Sequence, residues 1–224
     1  MKFRTTLFAM VIALFAVFPA GSTAAGTLQP GQYHETDTGA CTMNFVYDGG
    51  GGPYLGTAAH CVAGVGDVVR DMDGDRFGAV AYIGNQNTTA DDWALIRVDA
   101  DDVGRLNPSV KGSPQYPTGV TTPTETTTGD PIQLSGYGLG FGTNPVTQER
   151  RVAVMGFDDN EIYDVTGPLI FGDSGGPLVH IPSGKALGIV SRLCVGVCTE
   201  EGATVQGVIA KAAAKGVAVS LRTP

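Results

Sequence analysis

The sequence predicts an all-β protein, one large unit or two small ones, with one short helix near its C-terminus. Three observations predict it. The 224-residue chain holds 33 glycines and is frequent in valine and threonine, and few stretches carry a helical period. Short apolar-rich segments recur between clusters of turn residues, the pattern of many short strands joined by tight turns. A stretch rich in Pro, Thr, Gly and Ser, 107–130, divides those segments into two sets.

The first residues read as an export signal. Lys2 and Arg4 supply positive charge, Leu7 to Ala20 is an apolar run broken at Pro19, and Ala20 to Ala25 is small or polar. That order is charge, apolar core and small-residue cleavage site, so 1–25 is expected to be removed after Ala24 or Ala25. The run is shorter than the roughly 20 residues of a spanning helix. A secreted protein without stable membrane association is therefore expected. Residues 26–40 show turn residues and little periodicity, and a loosely packed segment is expected there.

The remaining elements follow in order. Cys41 to Tyr47 and Tyr54 to Ala59 read as strands flanking a glycine-rich turn. Asp67 to Arg70, Phe77 to Ile83 and Trp93 to Val98 complete a first barrel, placed at 41–115. The Thr-rich connection could be a glycosylated stalk, but its place inside the chain favours a linker. Ile132 to Tyr137, Arg151 to Phe157, Glu161 to Val165, Leu178 to Ile181 and Ala186 to Leu193 supply a second barrel, placed at 116–224. Alanines and lysines over Val208 to Ala214 suggest the short helix, with Gly216 as its stop.

The formal net charge is −8. Phosphate backbones repel such a chain, so nucleic acid is excluded as a partner class. The four cysteines all follow the signal, and an even number in an exported chain suggests disulfides. Proximity in sequence suggests Cys41 with Cys61 and Cys194 with Cys198. No C-x-x-C pair is present, which argues against a metal centre. Asp71, Asp73 and Asp75 alternate, but Arg76 stands where a calcium loop of the EF-hand type needs glycine, so a polar turn is expected. His34 and His180 lack partner patterns and read as structural or surface residues.

Three segments carry chemistry: Thr57-Ala58-Ala59-His60-Cys61, Asp91-Asp92-Trp93-Ala94-Leu95 and Gly172-Asp173-Ser174-Gly175-Gly176-Pro177. Each alone reads blandly, as a packed histidine, a turn carboxylate and a tight turn. Together they supply what acyl transfer needs. A serine hydroxyl needs a base, and histidine titrates in the right range. The histidine needs a carboxylate to hold its tautomer. The developing oxyanion needs backbone N–H donors, and glycines beside the serine let the backbone present them.

T-A-A-H-C, D-x-A-L and G-D-S-G-G-P, in that order, resemble the chymotrypsin family of serine proteases, in the style of its secreted bacterial branch. The resemblance reaches from Cys41 to about Ser191. It implies two six-stranded antiparallel β-barrels and a serine endopeptidase without cofactor or metal, acting on polypeptides as a monomer. It implies His60 as general base, Asp92 as its carboxylate rather than Asp91, and Ser174 as nucleophile. The N–H groups of Gly172 and Ser174 would form the oxyanion hole. Cys41–Cys61 would match the disulfide beside the histidine, Gly136-Tyr137-Gly138 a landmark of the second barrel, and Ser191 a serine that supports the aspartate. Asp173 would need a partner, for which Arg150, Arg151 or hydrogen bonds are the candidates.

The specificity pocket departs from the family pattern. Pro168 stands where trypsin-like members carry Asp, and Arg192-Leu193 replaces the usual Trp-Gly. Phe171 would line the edge of the pocket. Glu200 and Glu201, just past Cys198, could approach the pocket and favour a basic residue, but a solvated acidic turn is expected. The runner-up function is a catalytically weak, protease-like binding protein. Gly172 to Gly176 also fits the G-x-S-x-G elbow of α/β-hydrolases, but there the serine precedes the other two residues, and a helix follows it.

Overall fold

The structure, a computed structural model, describes residues 26–138, 150–192 and 199–224. The expected signal segment, Leu193 and the expected Cys194–Cys198 pair lie outside these residues.

Two antiparallel sheets make up the molecule. The first contains β1 (Tyr33–Thr36), β2 (Gly39–Thr42), β3 (Val46–Gly49), β4 (Gly52–Thr57), β5 (Val68–Arg70), β6 (Arg76–Ile83) and β7 (Ala94–Val98). The second contains β8 (Pro131–Leu134), β9 (Arg151–Asp158), β10 (Ile162–Thr166), β11 (Pro177–His180), β12 (Lys185–Ile189) and β13 (Glu200–Ala203). Helix α1 (Val205–Ala214) and β14 (Val219–Leu221) close the chain. The order is β14-β3-β4-β7-β6-β5-β1-β2 in one sheet and β12-β11-β8-β9-β10-β13 in the other.

Both sheets curl into barrels. In the first, the chain beyond β2 returns to β4, where the Asn44 N–H donates to the Gly56 carbonyl at 2.7 Å and the Gly56 N–H to Phe45 at 3.0 Å. In the second, a bridge between Gly188 and Thr204 joins the two edge strands. Closure leaves few unpaired strand edges, which is how antiparallel architectures protect their backbone groups. Each barrel fills with its inward-facing residues. Phe45, Leu55, Phe77, Trp93 and Ile96 are fully buried in the first, and Ile132, Leu134, Val165 and Leu178 in the second.

Four sequence expectations change. Residues 26–40 are not loosely packed, because Leu28 is fully buried and β1 pairs with both β2 and β5. The expected strand Cys41 to Tyr47 splits at Met43–Phe45, where the backbone turns to close the barrel. Val219 to Leu221 crosses back to pair with β3, so the C-terminus adds an eighth strand to the first sheet. Glu200 and Glu201 lie on β13, paired with Val165 and Asp164, and Glu200 is 5% exposed rather than solvated. Three-residue or charged segments such as these offer too little alternation to read as strands.

Helix α1 begins earlier than expected, because Thr204 caps it. The Thr204 hydroxyl accepts the Gly207 N–H at 3.0 Å and donates to the Asn160 carbonyl at 2.8 Å. Replacing Thr204 by alanine leaves both groups without this partner. It is expected to cost about 1 kcal/mol, a fall of roughly 2–4 °C in Tm for a chain of this size, read by thermal denaturation.

Candidate active site

His60 sits in a single 3-10 turn, Ala59–Cys61, directly after β4. The Cys41–Cys61 disulfide ties that turn to β2, as the resemblance implied. Asp92 ends the turn before β7 and is 2% exposed. Its two carboxylate oxygens serve different donors. One accepts the His60 backbone N–H at 2.9 Å, and the other lies 2.7 Å from His60 Nδ1. The neighbouring Asp91 is engaged elsewhere, accepting the Trp93 indole N–H at 2.7 Å. With Nδ1 facing a carboxylate, the favoured tautomer carries its proton there and leaves a lone pair on Nε2.

Ser174 comes from the other barrel, in the loop before β11. It lines one cleft with His60, Cys41, Cys61, Phe171, Gly172 and Ser191. Among the described residues, the N–H groups of Gly172 and Ser174 have no acceptor within the protein. The intervening Asp173 N–H is used, donating to the Ile170 carbonyl at 3.0 Å.

The Asp173 side chain anchors this loop. It is fully buried and paired with Arg151 of β9. One oxygen also accepts the Gly138 N–H, and the other the Ile170 N–H, each at 2.9 Å. Burial pushes its carboxyl above the ordinary value, while Arg151 and the two N–H groups pull it back. Gly136 and Gly138 are glycines for a steric reason, since a Cβ on either would fall within 2.7 Å of the Asp173 carboxylate. Arg151 also donates to the Pro168 carbonyl at 2.8 Å.

The structure redistributes the expected pocket residues. Phe171 is 69% exposed at the cleft rim, and Ser191 lines the cleft. The Ser191 hydroxyl reaches the backbone carbonyl of Asp92 at 3.4 Å rather than its carboxylate. Pro168 is exposed and does not line this cleft among the described residues. Arg192 points away, donating to the Asn87 carbonyl at 3.1 Å. Glu200, expected in a solvated turn, is buried here. Glu200 is pushed up to about 7, by burial first and then by the Asp173 charge.

His34 is structural. It lies 2.7 Å from the Thr57 hydroxyl, and burial drives its ring down to about 3, so it is neutral. His34, Cys41 and Cys61 are the one group placed within metal-ligating reach among the described residues. The two sulfurs are bonded to each other, so they offer no thiolate. Asp71 is likewise occupied, accepting two backbone N–H groups of its turn and pairing with Arg105.

The trypsin-like peptidase domain model matches residues 41–189, from the disulfide cysteine to the end of β12. The chain belongs to the trypsin-like peptidase family. No curated protein sequence matches it. Solved bacterial serine proteases share its fold. A glutamic-acid-specific serine protease, described as using a histidine triad in substrate binding, covers 87% of this chain and 100% of its own, at TM-score 0.61 and 20% identity. Nocardiopsis protease covers 88% of this chain and 100% of its own, at TM-score 0.60 and 19% identity. Cellulomonas bogoriensis chymotrypsin does so over 88% and 100%, at TM-score 0.57 and 20% identity. At these identities the likeness is one of fold.

Two outcomes follow for this peptidase. Arg151→Met strands the buried Asp173 charge, a change expected to cost about 3–5 kcal/mol at neutral pH. The deficit shrinks as pH falls, because the unpaired carboxyl can then take up a proton. Urea melts at neutral and acidic pH measure both. Glu200 holds its proton in the folded state up to about 7, whereas the unfolded chain loses it near 4.5. Between those values the native state binds more protons, so its stability falls as pH rises. Glu200→Gln is expected to flatten that part of the stability–pH curve.

Proposed function

We propose that this peptidase is a secreted serine endopeptidase that cleaves extended polypeptides through an acyl-enzyme. The observation that carries the reading is the 2.7 Å contact between His60 Nδ1 and Asp92, with Ser174 in the same cleft. Ser174 Oγ attacks the scissile carbonyl carbon and passes its proton to His60 Nε2. Asp92 holds the tautomer and steadies the imidazolium that forms. The N–H groups of Gly172 and Ser174 receive the charge developing on the carbonyl oxygen. His60 then gives its proton to the leaving amine. Water repeats the sequence on the ester, so His60 returns to neutral and Ser174 regains its proton.

The reading as a catalytically weak binding protein rested on the altered Arg192-Leu193 segment and on the unclear partner of Asp173, and the Arg151 pair removes the second of these supports. Export is supported by the leader-like start and by the disulfide, which favours an oxidising compartment. No helix among the described residues is long and apolar enough to cross a membrane.

A fluorophosphonate probe tests the reading. The wild-type secreted protein is expected to label at Ser174, and Ser174→Ala and His60→Ala are expected not to. Peptide hydrolysis in those variants is expected to fall by about 10⁴–10⁶-fold, and in Asp92→Asn by about 10⁴-fold. A folded wild type that takes no label would show that Ser174 is not activated.

A further inference from the structure

Thr42 is the last residue of β2, and it is fully buried where the first barrel meets the second. Its backbone N–H donates to the Ser174 carbonyl at 2.8 Å. Its hydroxyl donates to the Gly172 carbonyl at 2.7 Å and accepts the Tyr137 N–H at 3.0 Å. A carbonyl can only accept and an amide N–H can only donate, so the direction of the hydroxyl proton is set.

These bonds act on the loop that carries the two free N–H groups. The peptide between Gly172 and Asp173 is held at both ends, its carbonyl by Thr42 and its N–H by Ile170. The Asp173 carbonyl accepts the Gly176 N–H at 2.7 Å, and the Ser174 carbonyl accepts Thr42. Three successive carbonyls are thus fixed, two of them by one residue. Gly172 has φ +100°, a region that only glycine enters freely. The peptide bearing its N–H therefore has a rotational freedom that other residues lack. Fixing the peptide that follows restrains it.

We infer that Thr42 is a positioning residue whose buried hydroxyl, reaching across from the first barrel, holds the Gly172 and Ser174 N–H groups toward the developing oxyanion. The inference rests on the proposed chemistry of Ser174. Donors fixed in advance need no reorganisation as charge develops, so their loss falls on the transition state. Nothing in the sequence marks Thr42, one of two polar residues, with Asn44, in the segment Cys41 to Tyr47.

Thr42→Val keeps the shape and removes the hydroxyl, whereas Thr42→Ser keeps the hydroxyl. Thr42→Ala against Thr42→Ser gives a second comparison should the valine variant not fold. The readouts are p-nitrophenyl acetate hydrolysis and inhibition by phenylboronic acid, a small probe that forms a tetrahedral adduct with an activated serine. In the hydroxyl-free variant, kcat is expected to fall on the order of 10–100-fold and KM to change less than about 3-fold. Phenylboronic acid should weaken by the same factor as kcat, and Thr42→Ser should stay within about 3-fold of wild type. A merely structural role would lower Tm without coupling kcat to boronate affinity. A folded hydroxyl-free variant with wild-type kcat, or a loss confined to KM, overturns the inference. So does a serine variant as impaired as the hydroxyl-free one. A wild type that takes no fluorophosphonate label overturns the Ser174 reading instead, and this inference with it.

Discussion

A fully buried carboxylate constrains the whole second barrel. Asp173 cannot stay charged in that position without donors, since an isolated ion in a protein interior is far too costly. Arg151, Gly138 and Ile170 supply those donors from three separate segments. Meeting the demand draws β9, the chain after β8 and the loop before β11 to one point. The neighbouring Ser174 and Gly172 are placed as a consequence. Two glycines at 136 and 138 are needed because the carboxylate lies where their side chains would be.

The first barrel answers with a second anchor. His60 is held through its backbone and its ring by one buried aspartate, and its turn is tied to β2 by the disulfide. β2 in turn bonds the Gly172 and Ser174 carbonyls through Thr42. Each half of the cleft is thus positioned partly by the other. Backbone groups that would face a barrel seam find partners across it, as buried polar groups must.

Much of the fold was legible because a strand with one buried face alternates, and the turns between strands carry glycine. The segments at β9 and β10 alternate in this way, and those at β4, β7, β11 and β12 are short, mostly buried runs bounded by turn residues. The elements that escaped are those without either signal. β14 is a three-residue strand whose burial depends on a distant partner, β3. β13 carries two adjacent glutamates, and only the tertiary structure buries one of them. Residues 33–36 gain their structure from pairing with both β2 and β5, which their own composition does not announce.

The sequence alone determined the residue types and the order in which His60, Asp92 and Ser174 occur, because each lies in a short motif whose local chemistry is self-contained. Tertiary structure decided what completes them. Asp91 and Asp92 are adjacent and chemically alike; the D-x-A-L resemblance pointed to Asp92, and folding places Asp91 against Trp93 and Asp92 against His60. Thr42 and Gly172 are 130 positions apart, and Arg151 and Asp173 are 22 apart across two strands. Bonds over such separations exist only once barrel closure has removed the intervening water, so no local pattern of residues records them.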